Sequence, residues 1–436
     1  MKKDCVRVAI LGFGTVGSGV VSILQRNSES IAQKVGLPVV LHGIADPDLK
    51  RPRPVKVDPS LLCADSMTLV NDPLVDIVVE AIGGGYGGIE PPLSYILAAM
   101  EQGKSVVTSN KELMAKRGHE VFEAAERNKV DICFEGSVAG GIPILHALKE
   151  PLSGNRITEV VGILNGTTNY ILTKMTLEGK DFADALAEAQ ELRYAEKDPS
   201  EDITGQDAAY KLCILASVAF GSRVKLEDVY REGITKVAKV DITYAKELGY
   251  VVKLLAIARD TGGNRLELRV HPALLPARHP LANVNDVFNG IFLRGDAMSD
   301  LMFYGRGAGA FPTGSAVVGD IIYEARNIRD ANQGRILCTC YNVAQPVPIE
   351  EARTRYYLRM EVRDQPGVLG RIATAFGENG VSIASLVQKP LLDGKAEIVW
   401  ITHEVEERSL RSALDAIGAL PAVHDIPSVI RVEDPA

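Results

Sequence analysis

A run of acidic residues that ends in a single lysine is the sequence pattern most suggestive of chemistry. The stretch AEKDPSEDITGQDAAYK, residues 195–211, contains five carboxylates before Lys211: Glu196, Asp198, Glu201, Asp202 and Asp207. Asp207 and Lys211 are four residues apart, so on a helix they share a face. Because that face continues through Leu215 and Val218, we interpret Lys211 as half-buried rather than as part of a solvated surface ion pair.

A half-buried lysine beside a carboxylate suits proton transfer. An enzyme that oxidises an alcohol with a nicotinamide cofactor must remove the hydroxyl proton as the hydride leaves. A lysine whose pKa is lowered by desolvation can accept that proton. Asp207 favours the charged ammonium instead, so we interpret Asp207 as a positioning residue and the protonated Lys211 as the acid in the reduction direction.

The other carboxylates of this stretch divide into two groups. Glu196 and Asp202 lie in the loop predicted before the helix, where they can project towards a ligand that carries an ammonium group, such as an amino acid. Asp198 and Glu201 are interpreted as solvated or helix-capping residues. The stretch therefore predicts a binding site for an amino-acid-like alcohol or aldehyde.

A glycine-rich turn near the N-terminus predicts the cofactor site. The segment VAILGFGTVGSGVV carries the spacing GxGxxG as Gly12, Gly14 and Gly17, after an apolar strand and at the start of a helix. Gly12 permits a tight turn, Gly14 lets the backbone approach a pyrophosphate, and Gly17 lets the helix pack on the strand. The amide groups at the helix N-terminus then face the anion.

The residues after the second predicted strand leave the choice of cofactor open. That strand ends at Asp46, which could bond a ribose 2′-hydroxyl and favour NAD. Lys50, Arg51 and Arg53 follow, and they could instead hold the 2′-phosphate of NADP. A solvated basic loop is an equally good interpretation of these three residues.

Alternating strands and helices must position the glycine-rich turn. Five apolar segments within residues 1–150 are predicted as buried parallel strands: VRVAIL (6–11), VVLHGIAD (39–46), VDIVVEAI (75–82), SVVTSN (105–110) and VDICFEG (131–137). Helical patterns separate several of them. This alternation predicts βαβ units and a Rossmann-type doubly wound sheet in an α/β fold.

The pattern of elements changes after residue 150. Residues 151–327 mix helical stretches with alternating strands, which predicts an α+β domain for catalysis and dimerisation that ends with a helix at 317–327. A polar linker, 328–353, follows. Residues 354–436 give the order βαββαβ, which predicts a C-terminal ferredoxin-like domain.

Composition narrows the classes of function. The chain has 436 residues, 46% hydrophobic and 24% charged, enough for two or three domains. A net charge of −8 without a basic block disfavours nucleic acid as a partner. No run of about 18 apolar residues occurs, so no membrane span is expected. The six cysteines lack metal-ligand spacing, which favours reduced thiols and a cytoplasmic location.

Several motifs taken together resemble homoserine dehydrogenase. Besides the glycine-rich turn they are, in chain order, VVTSNKELMA, FEGSVAGGIPI, ILNGTTNYILT, YAEKDPSEDITGQDAAYKLCILA and YGRGAGAFPTGSAVVGDI. This resemblance covers residues 6–327. Residues 355–436, with RDQPGVLGRIATAFGENGVSI, resemble an ACT domain, a regulatory module that binds small ligands and often amino acids.

The resemblance implies NAD(P)-dependent interconversion of L-homoserine and L-aspartate 4-semialdehyde, on the route to threonine, methionine and isoleucine. Lys211 matches the general acid/base of the family, and Lys111 matches a second active-site lysine. The substrate-binding carboxylates of the family match Glu196, Asp202 and Asp207. Its cofactor contacts match Lys111, Phe13, Thr15, Val16 and Gly307.

The family also binds a monovalent cation, usually sodium, at the segment FEGSVAGGIP. The matching residues, which act mostly through backbone carbonyl groups, are Glu135, Val138, Gly140 and Ile142. A strand end followed by a glycine-rich turn can aim several carbonyl oxygens at one hard cation. On the residues alone, a simple tight turn is the better interpretation of this segment.

The resemblance to an ACT domain implies a regulatory site around the first helix of the C-terminal domain. The loops at its two ends contain Asp364, Gly367, Asn379, Gly380 and Ser382. Helix N-terminal amides and a glycine that allows close approach would hold an amino acid there, often between paired domains. Feedback inhibition by threonine is implied, with isoleucine and methionine as the next candidates, in a homodimer or homotetramer.

Three other functions are weighed against this one. A hydroxyacid dehydrogenase with an ACT domain would need a His–Glu pair, and none of the seven histidines lies in such an arrangement. A phosphorylating semialdehyde dehydrogenase would need a nucleophilic cysteine, but Cys133 and Cys213 lie in apolar runs. A non-catalytic amino-acid sensor would have no use for a half-buried Lys211 beside Asp207.

Overall fold

The computed structural model describes residues 3–83, 88–335, 338–390 and 395–434. The outer ends of the predicted first and last domains, and two residues of the predicted linker, lie outside the described residues.

A six-stranded parallel sheet forms the N-terminal region. Its strands are β1 (Val6–Leu11), β2 (Val39–Ala45), β3 (Leu62–Cys63), β4 (Ile77–Glu80), β5 (Ser105–Thr108) and β6 (Ile132–Cys133). Its helices are α1 (Thr15–Arg26), α2 (Ser28–Val35), α3 (Ser66–Val70), α4 (Glu90–Glu101), α5 (Lys111–Asn128) and α6 (Ile144–Lys149). The strand order β3-β2-β1-β4-β5-β6 confirms the predicted doubly wound fold, and it reverses between β1 and β4, which is where sheets of this kind bind ligands.

The predicted strands of this sheet are confirmed, with differences in length. The first matches the prediction, whereas the last is only two residues long because the chain turns into a 3₁₀ segment at Glu135–Ser137. The sequence analysis missed β3, which is too short to give a periodic pattern. The carboxyl ends of β1, β4 and β5 nevertheless meet at one edge, as the prediction requires.

The second region is a mixed α/β layer. Its strands are β7 (Ile157–Ile163), β8 (Tyr230–Arg231), β9 (Tyr250–Gly262), β10 (Arg265–Pro276), β11 (Phe288–Gly295) and β12 (Ser299–Arg306). Its helices are α7 (Gly166–Leu177), α8 (Phe182–Glu191), α9 (Ser200–Ile203), α10 (Gln206–Ala219), α11 (Lys239–Glu247) and α12 (Ala310–Arg329). The long strands run antiparallel in the order β12-β11-β7-β9-β10, and α10 packs between this sheet and α5 of the first region.

The helix predicted to close the second domain packs into the first. α12 contributes Val317, Ile321 and Ala325 to the apolar core that also contains β1 residues, and its start lies against α1. A Cβ added at Gly19 of α1 would lie 2.0 Å from the carbonyl oxygen of Ala310, so glycine allows this close approach. The two regions are therefore joined by packing as well as by the chain.

The C-terminal domain has the predicted βαββαβ order in β14 (Arg353–Arg363), α13 (Val368–Glu378), β15 (Ile383–Pro390), β16 (Lys395–Thr402), α14 (Glu407–Gly418) and β18 (Val423–Val432). Two short strands are additional: β13 (Gln345–Pro346), in the predicted linker, and β17 (Val405–Glu406). Phe376 of α13 packs edge-on against the fully buried Trp400 of β16, which places the core between the helices and the sheet.

The C-terminal domain continues the sheet of the second region. β18 pairs in parallel with β10, so that both domains belong to one 12-stranded sheet. Beside this seam, Arg359 of β14 binds Asp241 of α11 at 2.6 Å and Glu397 of β16 at 3.0 Å, and all three side chains are buried. The predicted linker also takes part, since β13 pairs with β10.

Among the described residues, every helix is too short or too polar to cross a membrane.

Candidate active site

Lys211 lies on the buried face of α10, one turn after the helix begins. Its Nζ donates to Oδ2 of Asp207 at 2.7 Å and to the carbonyl oxygen of Leu164 at 2.8 Å. The side chain is only 10% exposed, so Lys211 is more deeply buried than the sequence predicted. Two of its three N–H bonds are used in these contacts, which leaves the third for a ligand.

Lys111 reaches the other oxygen of the same carboxylate. It is the first residue of α5, and its Nζ lies 2.6 Å from Oδ1 of Asp207. Asn110 caps this helix by accepting a hydrogen bond from the amide of Leu113 at 3.1 Å. The Lys111 side chain is 38% exposed while that of Lys211 is only 10% exposed, so Lys111 is the more accessible of the two lysines.

Asn165 completes the cluster, although the sequence analysis did not single it out. Its Nδ2 donates to Asp202 at 2.6 Å and to Asp207 at 2.8 Å, while its Oδ1 accepts from the amide of Thr168 and caps α7. The available signal was an asparagine directly before a helix in the quoted motif ILNGTTNY, which indicates a cap. Its second role depends on contacts between residues distant in sequence.

The two aspartates of the cluster differ in their electrostatic environment. Burial alone would raise the pKa of Asp207, but Lys211 and Lys111 outweigh it and hold the pKa well below the usual range. Burial, together with repulsion from Asp207, raises the pKa of Asp202. The pKa of Lys111 is raised, mainly by the negative charge of the Asp207 carboxylate. Asp202 is therefore the aspartate least neutralised by the two lysines.

Glu80 supports the cluster from the end of β4 and was also missed. Its carboxyl group accepts from Oγ1 of Thr108 at 2.5 Å and from the amide of Ile82 at 2.8 Å. Complete burial raises its pKa to about 7 despite these hydrogen bonds. The contact with Thr108 ties β4 to the end of β5, just before Lys111.

The remaining predicted carboxylates lie outside the cluster around Asp207. Glu196 is exposed, and in the described part of the chain its carboxylate makes no hydrogen bond or ion pair. Asp198 accepts from the amide of Ser200 at 3.1 Å, which agrees with the predicted capping role. Glu201 is exposed.

The glycine-rich turn has the geometry that a dinucleotide requires. Gly12 adopts a φ of +99°, and a Cβ there would lie 2.5 Å from the carbonyl oxygen of Ala81. At Gly17 a Cβ would lie 2.0 Å from the carbonyl oxygen of Gly12. Gly14, at the N-terminus of α1, has no described atom within 4 Å of its Cβ position, which leaves room for a pyrophosphate. Thr15 and Val16 begin α1 directly after it.

The Asp46 carboxylate is already bonded to two other residues of the protein. Its Oδ2 accepts from the amide of Phe13 at 2.7 Å, and its Oδ1 lies 2.8 Å from Arg53. Arg53 also covers the ring of Phe13 at 5.2 Å from the ring centre. Lys50 and Arg51 are exposed on the same loop. Of the three predicted basic residues, one therefore holds the turn together and two are free to meet a phosphate.

Three family models match the chain. "Homoserine dehydrogenase, NAD binding domain" matches residues 12–135, "Homoserine dehydrogenase" matches residues 143–322 and "ACT domain" matches residues 356–422. A homoserine dehydrogenase from Synechocystis sp. is 49% identical over 98% of this chain and 99% of its own length. The chain belongs to the homoserine dehydrogenase family. The homoserine dehydrogenase from Corynebacterium glutamicum is 45% identical over 99% of this chain and 96% of its own length.

Solved structures of homoserine dehydrogenases agree with this assignment. The crystal structure of the enzyme from Thiobacillus denitrificans covers all of both chains with a TM-score of 0.92 and 41% identity. A hyperthermophilic archaeal homoserine dehydrogenase in complex with NADPH covers 73% of this chain and 97% of its own, with a TM-score of 0.61 and 29% identity. Membership makes the chain an oxidoreductase that acts on a CH–OH group, with homoserine and aspartate 4-semialdehyde as substrates and an NAD(P)-binding domain.

Cys133 and Cys213 do not compete for a role in homoserine dehydrogenase chemistry. Burial raises the pKa of Cys213 to about 12 and raises that of Cys133 well above its usual range. Such thiols are poor nucleophiles. This disfavours the alternative of a phosphorylating semialdehyde dehydrogenase on physical grounds as well.

The segment that resembles the sodium site of homoserine dehydrogenases contains a strained turn. Ala139 and Gly140 both have a φ of +54°, and a Cβ at Gly140 would lie 2.5 Å from the carbonyl oxygen of Gly307. Val138 and Ile142 flank the turn and are buried. The Glu135 carboxylate instead caps α6, accepting from the amides of Leu145 at 2.8 Å and His146 at 2.7 Å. The carboxylate is thus engaged by the start of α6.

The predicted regulatory residues of the ACT domain lie at opposite ends of one helix. Asp364 and Gly367 line a cavity of about 350 Å³ before α13. Asn379, Gly380 and Ser382 follow α13, whose 11 residues span roughly 16 Å. A single domain therefore does not bring all five together, and one joint site needs two domains side by side.

Proposed function

We propose that this enzyme interconverts L-homoserine and L-aspartate 4-semialdehyde with Lys211 as the general acid/base. The contact of Lys211 with Asp207 at 2.7 Å carries the proposal, because it holds a buried ammonium group in the cluster that also contains Lys111. When NAD(P)H is bound it supplies the hydride for reduction. Lys211 then gives a proton to the aldehyde oxygen, and in the oxidation direction it takes the hydroxyl proton back.

The substrate ammonium group is proposed to lie against Asp202. Asp207 already meets two lysines, whereas Asp202 meets Asn165 and has unused acceptor positions. Glu196 would have to turn inward from its exposed position to add a second carboxylate. Lys111, which is partly exposed, is placed to bind the substrate carboxylate or the cofactor.

The cofactor is proposed to be NADP rather than NAD. Asp46 is neutralised by Arg53, so it is a poor acceptor for a ribose 2′-hydroxyl, while the exposed Lys50 and Arg51 can meet a 2′-phosphate. Replacing Lys50 and Arg51 together with alanine should raise KM for NADP at least about tenfold more than KM for NAD, since a well-formed charge-assisted contact contributes about 1.5–3 kcal/mol. Equal changes in KM for both cofactors would show that Lys50 and Arg51 belong to a solvated loop and do not contact the 2′-phosphate. Arg53 is a poor probe because it holds Asp46.

A sodium ion is proposed at the turn of Glu135, Val138, Gly140 and Ile142. The left-handed pair Ala139–Gly140 and its contact with Gly307 support it, because they fix the backbone next to the glycine expected to close on the cofactor. Activity should therefore rise when sodium replaces a large organic cation at constant ionic strength. Unchanged activity would indicate that the segment is a tight turn that binds no functional cation.

The ACT domain is proposed to mediate feedback inhibition by threonine, as expected for an enzyme on the route to threonine, methionine and isoleucine. The cavity beside Asp364 and Gly367 supports ligand binding there. Deleting residues 350–436 is a poor test, because β18 pairs with β10 and Asp241 would lose Arg359. Asp364→Ala should instead raise the inhibitory threonine concentration without changing KM for homoserine. Unchanged inhibition that is competitive with homoserine would place threonine in the active site.

A homodimer or homotetramer is proposed, with the two ends of the 12-stranded sheet as contact surfaces. The end strands are β12 and β15, and the exposed Tyr304, Leu386 and Val387 lie on them. Exposed strand edges invite pairing with another chain. Side-by-side pairing of β15 would also bring the two ends of α13 from different chains closer, as a shared regulatory site requires.

The reaction itself is tested by following reduced nicotinamide absorbance during homoserine oxidation, with NAD and NADP in turn and with and without threonine. Homoserine-dependent reduction supports the proposed reaction. No turnover with either cofactor would favour a non-catalytic amino-acid sensor. Turnover of a 2-hydroxy acid in place of homoserine would favour the hydroxyacid dehydrogenase.

A further inference from the structure

A second cluster of polar side chains lies where β6, α6 and α12 meet, apart from the candidate active site. It contains Cys133 at the end of β6, His146 in α6 and Asp320 in α12. A sulfur, a ring nitrogen and a carboxylate oxygen from these residues all lie within 4.8 Å of one another. Cys133 and Asp320 are buried, and the His146 side chain is 32% exposed.

Glu324, one turn after Asp320 on α12, faces the same place. Its Oε1 accepts from the Cys133 thiol at 3.0 Å. Its Oε2 is buried and makes no hydrogen bond of good geometry within the described ranges, although Asp131 and Ser105 lie near the carboxyl group. A buried carboxylate with incomplete hydrogen bonding is costly, so a further ligand would stabilise it. A cavity of about 30 Å³ lined by Cys133, His146 and Glu324 has room for a single ion or water.

The charges around this cavity are predominantly acidic. Asp131, Glu135, Glu150 and Glu324 line it, and the buried Asp320 accepts a hydrogen bond from the amide of Glu135. The cations that line it are His146 and Lys149. A bound cation would offset the negative charge of these carboxylates.

We propose that Cys133, His146, Asp320 and Glu324 bind one divalent transition-metal ion, with Zn²⁺ as the best fit. Thiolate and imidazole ligands select zinc over sodium, magnesium or calcium, which prefer oxygen. Ligand atoms around a tetrahedral zinc lie roughly 3.3–3.6 Å apart. The His146–Asp320 pair at 2.7 Å and the Cys133–Glu324 pair at 3.0 Å must therefore separate slightly to admit the ion. The partly exposed His146 can make that adjustment.

The existing contacts already bring the proposed ligands together. Nε2 of His146 and Oδ1 of Asp320 lie 2.7 Å apart and share a hydrogen bond that the ion would replace. Oδ2 of Asp320 accepts from the amide of Glu135 at 2.9 Å. Binding would release the thiol proton of Cys133, with no change in oxidation state.

The ion would have a structural role. Cys133 and His146 belong to the first region, while Asp320 and Glu324 belong to α12, which packs against α1 of the cofactor site. Neither Lys211 nor Asp207 is among the proposed metal ligands. The site lies next to the proposed sodium turn, since the amide of Glu135 donates to Asp320, but it uses side chains whereas the turn would use the backbone of residues 135–142.

Cobalt substitution tests the site on the full-length enzyme. We expect one Co²⁺ per chain, with a thiolate-to-cobalt charge-transfer band in the near ultraviolet that Zn²⁺ removes by competition. Cys133→Ser should abolish the band, and His146→Gln should weaken binding by at least about 100-fold, since even changes around metal ligands cost about 10–100-fold. Cys213→Ser, at another buried cysteine, should leave the band unchanged.

Thermal melting separates loss of the metal from loss of the fold. Zn²⁺ should raise the Tm of the wild-type enzyme above its value in chelator, and it should leave the Tm of His146→Gln unchanged. A band that persists in Cys133→Ser would overturn the proposal, because the metal would then lie elsewhere, for example at Cys338 and Cys340. Wild-type enzyme that neither binds Co²⁺ nor gains Tm with Zn²⁺ would overturn it as well.

Discussion

Two buried charge clusters in this enzyme use different cations. At the junction with the ACT domain, Arg359 lies between Asp241 and Glu397. In the candidate active site, two lysines share Asp207. An arginine keeps its proton and offers a rigid fork, whereas a lysine is a compact donor that can lose and regain a proton. The arginine cluster is suited to holding two domains together, and the lysine cluster to moving a proton.

The largest effect is expected when Lys211 becomes arginine. Lys211→Arg keeps the charge but removes a group able to release a proton, so kcat should fall by about 10²–10⁴ in both directions, as for Lys211→Ala. Cofactor affinity, measured by fluorescence titration, should change little. Lys116→Arg is the matched control, because Lys116 lies on α5 in an exposed pair with Glu112. If Lys211→Arg kept the wild-type kcat, the lysine cluster would not need a group that can release a proton, and the proposed difference between the two clusters would be wrong.

The next effect concerns the stability of the junction. Arg359→Leu leaves Asp241 and Glu397 buried without their cation, which should lower the free energy of unfolding by about 3–5 kcal/mol. Urea unfolding measures this. Arg353→Leu on the same strand is the control, since its pair with Glu406 is largely exposed and should contribute less than about 1 kcal/mol. Equal losses for both variants would show that the junction does not depend on buried charge.

A smaller effect is expected from Glu80, which supports the lysine cluster. Its pKa is raised to about 7, so its contribution to stability is complete below about pH 4.5 and is lost as the pH rises through 7. Glu80→Gln imitates the protonated form. Relative to the wild-type enzyme, this variant should gain about 2–3 kcal/mol of stability between pH 5 and pH 8 in urea unfolding. A difference that stays constant with pH would contradict the shifted pKa.

The smallest effect is expected for Asn165. Asn165→Ala removes the donor that holds Asp202 and Asp207 together, so kcat/KM for homoserine should fall about tenfold, near the lower limit of about 1.5 kcal/mol for a hydrogen bond to a charged group. Most of the change should appear in KM, because Asp202 is proposed to bind the substrate. Asn128→Ala, which affects only a contact at the end of α5, is the control. A change confined to kcat would indicate that Asn165 acts by positioning Asp207 and Lys211 rather than by supporting substrate binding at Asp202.

Local patterns predicted the parts of this molecule that depend on neighbouring residues. The strand at 6–11, the turn at Gly12 and the face shared by Asp207 and Lys211 follow from spacing along one element. Glu80 and Asn165 could not be recognised this way, since their roles depend on partners from other elements. The sequence also shows no sign that β18 would join β10, because pairing between domains depends on tertiary structure.

The same limit applies to the charges. A lysine before an apolar run indicates an unusual environment on its own. Arg359, by contrast, occurs in an alternating strand where an exposed arginine would look the same. Only the packing of α11 against the C-terminal sheet shows that Asp241 faces it.

Chemical rescue of Lys211→Ala by primary amines tests most directly whether Lys211 transfers the proton. The shortened side chain leaves space for a small amine beside Asp207. Added amines should restore part of kcat for homoserine oxidation, and among amines of similar size the rate should follow their pKa, as general acid/base catalysis requires. A quaternary ammonium ion should restore nothing. Equal rescue by the quaternary ion, or rates independent of amine pKa, would show that Lys211 supplies only a positive charge.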